Sequence, residues 1–221
     1  MAGGKMSGRQ KMINLMYLVF IAMLAMNMSK EVLSAFGFVN EKLTDSNIST
    51  TEKNNQAYAN LATKASDQAA KFADLNKKAL KIKTYSVEFY NYLEVLKDAM
   101  TADLEDKQDY ESMDKTVFLD EYFFKGDGYT PEGEVFLAKI NGHRTNLMAV
   151  LGKNTPFAAV VTKRFSTTDE TNRDGKTIKW LDYRYKGFPL VASLTNLTQL
   201  QSDIKNTEAD VISNLLGGQM E

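Results

Sequence analysis

The sequence predicts an all-α protein with a single N-terminal transmembrane helix followed by a helical bundle. Three observations support this fold class. Residues 12–28 form an uncharged and mostly apolar run, and residues 38–125 contain neither Gly nor Pro. The absence of both helix breakers over that length suits long helices better than strands and turns. Apolar residues also recur at alternating spacings of three and four, which is the pattern of a helix with one buried face.

Composition excludes several classes of function. The 221 residues include no Cys and one His, His143. Disulfide scaffolds, Cys-ligated zinc, iron–sulfur centres and thiol catalysis are therefore excluded, and neither a multi-His metal site nor a His-based triad is expected. The net charge of −1 argues against a nucleic-acid partner. Because the sequence carries no phosphate-binding, dinucleotide-binding, zinc-protease or EF-hand motif, we predict no enzyme activity, no catalytic residue, no cofactor and no metal.

The N-terminal segment has the charge pattern of a membrane anchor. It contains Lys5, Arg9 and Lys11, and no acidic residue precedes Glu31. A basic, acid-free start in front of an apolar run is typical of a membrane span whose N-terminus stays in the cytoplasm. About 17 to 25 mostly apolar residues cross a bilayer as a helix. Lys30, beyond the run, can extend its ammonium group to the interface.

These features predict a cytoplasmic N-terminus at residues 1–11, a transmembrane helix at 12–36 and an exported helical-bundle domain at 37–221. A cleaved signal peptide is one alternative, but Met23-Leu24-Ala25 places a large residue where cleavage requires a small one. A soluble core helix is another alternative, although such a helix is not usually apolar on all sides.

Polar residues of the predicted transmembrane helix lie on one stripe. The stripe has spacings of three and four and contains Asn14, Tyr17, Ile21, Leu24, Met28, Glu31 and Ala35. Small residues occupy an adjacent strip at Ala22, Ala25 and Ser29. Polar side chains at membrane depth seek partners, and small residues let helices approach closely, so the stripe predicts a helix–helix contact. The alternative is that Asn and Tyr lie near the membrane interfaces.

An apolar seam in the exported region predicts the buried face of a helical bundle or coiled coil. The seam consists of Tyr58, Leu61, Ala65, Gln68, Phe72, Leu75, Ala79, Ile82, Ser86, Phe89, Leu93, Leu96 and Met100, and its polar interruptions are Gln68 and Ser86.

We expect a helix break before this seam, within 45–49, because Ser49 and Glu52 have the spacing of a capping box.

Proline and glycine mark the later helices. Thr130 and Pro131 predict the start of a helix that ends at Gly152. We interpret His143 within it as a packed or surface residue rather than a catalytic base. A further helix is predicted for residues 155–165.

The C-terminal part combines one uncertain segment with a long helix. Residues 166–176 are polar and predict a loop. In 178–185 a strand competes with a short helix, and we expect an irregular segment with Trp180 inserted between helices. The final helix is predicted from Pro189 to about Leu216.

The N-terminal sequence resembles that of the GldM family, also known as PorM, the inner-membrane motor subunit of Bacteroidota gliding and type IX secretion. The resemblance rests first on residues 9–25, RQKMINLMYLVFIAMLA, and on residues 27–33, NMSKEVL. Residues near the C-terminus resemble the end of the family's first periplasmic domain, at Trp180, Phe188-Pro189-Leu190, Ala192, Asn206 and Glu208-Ala209. Family proteins are longer and continue into β-rich periplasmic domains.

The resemblance implies a homodimer whose two transmembrane helices lie inside a ring of GldL subunits, expected to be a pentamer. Proton flow would turn the dimer within this ring. The periplasmic part would transmit the motion to downstream periplasmic and outer-membrane secretion components. The implied location is the bacterial inner membrane, in contact with lipid, with one span and a periplasmic C-terminus.

The residues add a prediction about proton coupling within that mechanism. Because no Asp or Glu precedes Glu31, the protonatable carboxylate is expected in the ring partner. Arg9 keeps its proton under all ordinary conditions, which makes it the candidate counter-charge, and the family implies a GldL glutamate as its partner. The alternative is that Arg9 only sets the topology. The predicted partner and proton-coupling interface comprises Arg9, Asn14, Tyr17, Asn27, Lys30 and Glu31.

Two other functions are alternatives to the motor. A membrane-anchored sensory receptor with a helical periplasmic domain is the main alternative, but this class requires a second span, and the sequence has no second long apolar run. A passive scaffold or adhesin with a signal anchor is the other alternative, and it predicts that removing the Arg9 charge has no effect.

Overall fold

The computed structural model describes residues 8–26, 29–152 and 155–217. Helices dominate these ranges, which confirms the predicted all-α class. The α-helices are α1 Gly8–Met26, α2 Lys30–Asp67, α3 Ala69–Met100, α4 Val117–Phe123, α5 Pro131–Leu151, α6 Pro156–Arg164, α7 Trp180–Tyr185 and α8 Leu190–Gly217. A 3₁₀ turn spans Tyr110–Ser112. Short antiparallel hairpins pair β1 Phe124–Lys125 with β2 Gly128–Tyr129, and β3 Glu170–Thr171 with β4 Thr177–Ile178.

The long helices α2, α3 and α8 pack together as a bundle. α2 and α8 are parallel, because the Thr195 hydroxyl donates to the Phe36 carbonyl near one end of the pair and the Lys64 ammonium donates to the Leu216 carbonyl near the other. The chain reverses direction at Gln68, so α3 returns antiparallel to both. α5 packs on α3, and α6 packs on α5 and α8.

The predicted seam forms the core of the hairpin made by α2 and α3. All of its residues are buried except Ala65, which is half-buried, and Gln68, which lies exposed at the reversal. Leu61, Ala79, Ile82 and Leu93 have no measurable exposure. Burial of such apolar side chains is the main source of free energy for folding, at about 25 cal/mol per Å².

The predicted helix break within 45–49 is wrong. α2 runs without interruption from Lys30 to Asp67. Asn47, in the middle of the expected break, is buried and donates a hydrogen bond to the Thr198 carbonyl of α8. This tertiary contact holds the segment in the helix, and the local capping signal of Ser49 and Glu52 does not end it.

The predicted helix at 12–36 falls on two helices of the structure. α1 ends at Met26, and α2 begins at Lys30 with Ser29 as its N-cap, since the Ser29 hydroxyl accepts a hydrogen bond from the Val32 amide. Leu33, in the first turns of α2, is 1% exposed and belongs to the core of the bundle. Within the described ranges, no helix combines the length and the mean hydropathy that a membrane crossing requires.

The later helices begin and end close to the predicted residues. Thr130 caps α5 by accepting a hydrogen bond from the Gly133 amide, and Pro131 is the first helical residue. α5 ends before Gly152, whose φ of +84° is a conformation that glycine adopts without strain. α8, from Leu190 to Gly217, also follows the prediction.

The segment expected to be a loop followed by irregular chain is ordered as a hairpin and a helix. The Asn172 carboxamide oxygen accepts hydrogen bonds from the amides of Asp174 and Lys176, which closes the turn between β3 and β4. Asp169 accepts a hydrogen bond from the Trp180 amide where α7 begins. These side chains satisfy backbone groups locally, and Trp180 is half-buried at the start of α7.

Candidate functional site

Three predicted interface residues, Arg9, Asn14 and Tyr17, lie on α1. Every side chain from Arg9 to Phe20 is exposed, and Tyr17 retains 68% of its accessible surface. The Gln10 side-chain amide donates a hydrogen bond to the Asn14 carboxamide oxygen. The large apolar side chains exposed along this helix are Met12, Ile13, Leu15, Met16, Leu18, Val19 and Phe20. An apolar surface of this extent marks a site of contact with another protein or with lipid.

The other three predicted residues lie at or before the start of α2. Asn27 is outside the described residues. The Lys30 ammonium forms a 3.0 Å ion pair with the Glu111 carboxylate of the 3₁₀ turn. Glu31 lies in the first turn of α2, where a negative charge interacts favourably with the helix dipole. The structure therefore divides the predicted interface between two helices, and Lys30 contacts the bundle.

A tight contact fixes the beginning of α2 to the bundle. The ring of Tyr110 packs on the backbone of α2 at Gly37, so closely that a Cβ atom at position 37 would clash with the ring. Together with the pair between Lys30 and Glu111, this contact attaches the 3₁₀ turn to the first two turns of α2. This contact is not among the sequence predictions, although Gly37, a glycine within a long helical pattern, is a signal for it.

Three asparagines of α2, seven residues apart, face α8. The Asn40 carboxamide oxygen accepts a 2.7 Å hydrogen bond from the Thr198 hydroxyl. Asn47 donates to the Thr198 carbonyl at 3.3 Å, and Asn54 donates to the Lys205 carbonyl at 2.9 Å. All three are buried. We call Asn40, Asn47 and Asn54, with their partners on α8, the polar seam.

A buried ion pair lies at the end of the polar seam. The Lys205 ammonium and the Glu208 carboxylate are 3.1 Å apart, and their side chains are 8% and 2% exposed. The Tyr58 hydroxyl donates a hydrogen bond to the other carboxylate oxygen, and the Lys205 ammonium lies 4.8 Å from the centre of the Tyr90 ring. Burial raises the pKa of Glu208, while Lys205 and Tyr58 act in the opposite direction. The pair lies within α8, and the Tyr58 hydroxyl connects it to α2.

In the part of the chain that the structure describes, no group of three or more His, Cys, Asp or Glu side chains is placed to hold a metal. His143 packs between Phe89 and Phe165, with ring centres 5.0 and 4.7 Å away, which confirms that it is a packed residue. Burial lowers its pKa to about 4. The described residues thus combine buried polar contacts between α2 and α8 with an exposed apolar helix, α1.

Comparison with protein families identifies the bundle. The family model described as the GldM N-terminal domain matches residues 31–218. No individual curated protein matches the chain. The matched range begins one residue after the start of α2 and ends one residue after the end of α8. It therefore covers the whole bundle.

Proposed function

Since the match covers most of its length, the chain belongs to the GldM family of the gliding-motility and type IX secretion machinery, and on this premise we propose that it is the subunit that converts proton flow into movement. In this proposal α1 is the moving part in the inner membrane, and the bundle of α2, α3 and α8 carries the motion into the periplasm. The N-terminus lies in the cytoplasm, and the chain crosses the membrane once.

The observation that carries the proposal is the exposed apolar surface of α1. Its described side chains are exposed on all sides from Arg9 to Phe20, although most of them are apolar. Two coverings suit this surface: lipid, and helices of other subunits. We propose that the α1 helices of two copies contact each other and lie within a GldL-like ring, expected to be a pentamer.

The proton-coupling step follows from the charges of α1. Arg9 and Lys11 are its basic residues, and it contains no acidic residue. The group that gains and loses the proton must therefore belong to the ring. A protonated carboxylic acid has no net attraction to Arg9, whereas the ionised carboxylate attracts it strongly. Each proton that crosses a potential of 100 mV supplies about 2.3 kcal/mol, which is comparable to the strength of one charge-assisted hydrogen bond.

Transmission of motion from α1 to the periplasm depends on a stiff helical bundle. α2 contains 38 residues, which corresponds to a length of about 57 Å at 1.5 Å per residue. It begins four residues after Met26, the last residue of α1, and the contacts of Lys30 and Gly37 attach its first turns to the 3₁₀ turn. Along its length the polar seam holds it to α8. Motion of α2 is thereby shared with the whole bundle.

The test is substitution of Arg9 in cells, with Arg9→Ala and Arg9→Lys as the two variants and Lys11→Ala as the matched control. Arg9→Ala is expected to stop gliding and type IX secretion at normal protein levels. Arg9→Lys is expected to retain partial function, since the charge remains but the planar guanidinium is lost. The control is expected to be active. Normal gliding and secretion by both Arg9 variants would show that this residue has no role in the motor.

A second experiment tests the partner independently of motility. The full chain, co-expressed with a GldL-like subunit and purified in detergent, is expected to remain in one complex that contains two copies of the chain. Recovery of the chain as a free monomer would contradict the proposed assembly.

A further inference from the structure

A large cavity lies on the opposite side of α8 from the polar seam. It has a volume of about 950 Å³ and is bounded by α5, α6, the β3–β4 hairpin, α7 and α8. Sites for small organic ligands have volumes of about 300 to 1,000 Å³. The family resemblance assigns no role to this space, and the proposed motor mechanism does not use it.

The charged side chains of the cavity nearly balance one another. The cations are Lys163, Arg164 and Arg184, and the carboxylates are Glu170 and Asp203. Arg184 lies 3.5 Å from the carboxylate of Glu170. Arg164 forms a 2.8 Å ion pair with Asp210. Both guanidinium groups therefore already have carboxylate partners, which disfavours a strongly anionic ligand, and three cations disfavour a cationic one.

Asp203 gives the cavity a half-buried hydrogen-bond acceptor. The Gln199 side-chain amide donates to its carboxylate at 3.3 Å. A carboxylate has about four acceptor positions, so Asp203 has capacity for hydroxyl donors from a ligand. Burial raises the pKa of Asp203, while Arg164 and Arg184 oppose that change. The amide of Asn196, which donates to the Arg184 carbonyl, adds a carboxamide oxygen at the same wall.

Apolar groups complete the wall. Trp180, Leu200 and Met148 line the cavity beside the charged groups. The Arg184 guanidinium lies 5.9 Å from the centre of the Trp180 ring. Arg184 is about half-exposed, so its guanidinium can donate hydrogen bonds to a ligand that packs against the ring. The site thus offers aromatic surface next to paired donors and acceptors.

From this combination we propose that the cavity binds a neutral carbohydrate of a few sugar rings. Hydroxyl groups both donate and accept hydrogen bonds, so they suit a wall that contains guanidinium groups, carboxylates and carboxamides together. The C–H face of a sugar ring suits the surface of Trp180. A peptide is the less suitable ligand, because the two-residue strands β3 and β4 offer too short an edge for strand addition.

The fluorescence of Trp180 gives a direct test, because it is the only Trp in the chain. The full chain is titrated with maltose, cellobiose and N,N′-diacetylchitobiose, all of which are neutral disaccharides. We expect a saturable change in Trp emission with at least one of them. Asp203→Ala and Arg184→Ala are each expected to weaken that binding about tenfold, the typical effect of losing a hydrogen bond to a charged group.

Controls make the test decisive. Asp98→Ala removes a carboxylate that is 74% exposed and pairs with Lys107, away from the cavity, and it is expected to leave binding unchanged. Arg184 is partly exposed, so its variant is expected to fold even if Asp203→Ala does not, as circular dichroism will show. The proposal is overturned if none of the three sugars gives saturable binding, if Arg184→Ala binds as tightly as the control, or if triglycine or inorganic phosphate binds more tightly than the sugars.

Discussion

The hydroxyl of Tyr58 on α2 donates a 3.1 Å hydrogen bond to the carboxylate of Glu208 on α8, which lies 150 residues further along the chain. The same carboxylate pairs with Lys205. Tyr58 therefore ties the far half of α2 to a buried charge on α8, beyond the last asparagine of the polar seam. Side-chain hydrogen bonds join α2 to α8 along most of their shared length, whereas the seam between α2 and α3 is mainly apolar.

Removal of the Glu208 carboxylate is expected to be strongly destabilising. Glu208→Ala leaves the Lys205 ammonium buried without its partner, which typically costs about 3 to 5 kcal/mol. Urea unfolding followed by circular dichroism measures the loss. Asp210→Ala is the matched control, since its pair with Arg164 is half-exposed and such pairs contribute about 0 to 1 kcal/mol. Equal losses in the two variants would show that burial of the Glu208 pair has no special effect.

The contact between Gly37 and Tyr110 predicts opposite effects for two Gly→Ala changes. Gly37→Ala places a methyl group inside the Tyr110 ring, so the turn must move, at a cost of about 1 to 3 kcal/mol. Gly142→Ala, in the interior of α5, meets no atom within 4 Å, and it is expected to stabilise the helix by about 0.5 to 1 kcal/mol. Thermal unfolding midpoints compare the two. An unchanged midpoint for Gly37→Ala would contradict the described packing of Tyr110.

The buried His143 predicts a loss of stability in mild acid. Burial lowers its pKa from 6.5 to about 4, so between these values the unfolded chain binds a proton that the folded chain does not. The contribution of neutral His143 is complete above pH 6.5 and is lost as the pH falls toward 4, by up to about 3 kcal/mol at about 1.4 kcal/mol per pH unit. The free energy of unfolding, measured in urea from pH 7 to pH 4, tests this slope.

A His143→Leu variant provides the control for that measurement. Leu has no titrating group, so the variant is expected to show a shallower decline in the free energy of unfolding between pH 6.5 and 4. The other acidic and basic groups are unchanged, and their contribution to the pH dependence remains. Identical slopes for the variant and the original chain would assign the pH dependence to other groups.

The sequence predicted the elements whose signals are local. Thr130 and Pro131 define the start of α5 through a hydroxyl and a fixed φ angle, and the spacing of apolar residues from Tyr58 to Met100 identifies a buried face. In both cases the physical cause of the structure lies within a few turns of the chain. For His143 the prediction leaves a packed and a surface position open, and the structure shows the packed one.

The features that the prediction missed depend on residues far apart in the chain. The capping-box spacing of Ser49 and Glu52 predicts a helix break, and the bond of Asn47 to Thr198 of α8 is not visible in that local pattern. The spacing of seven between Asn40, Asn47 and Asn54 was the available signal. The cavity beside Asp203 combines five elements, and no spacing within any one of them indicates it.

The polar seam predicts that replacing its asparagines by apolar residues has opposite effects on the stability of the bundle and on the alignment of α2 with α8. Polar residues at buried, heptad-spaced positions fix the register of paired helices at a cost in stability. Replacement of Asn40, Asn47 and Asn54 together by Leu is therefore expected to raise the urea midpoint, because apolar side chains of similar volume replace desolvated amides. Thr198 keeps its bond to the Leu194 carbonyl in this variant, so its hydroxyl is not left unpaired.

The alignment of α2 and α8 is expected to become less uniform in the same variant. It can be measured by disulfide formation between Phe36→Cys and Thr195→Cys, two positions joined by a hydrogen bond in a chain without native Cys. The yield of cross-linked chain is expected to fall in the Leu variant although its midpoint rises. A lower midpoint with undiminished cross-linking would show instead that the asparagine bonds stabilise the bundle and do not set its register.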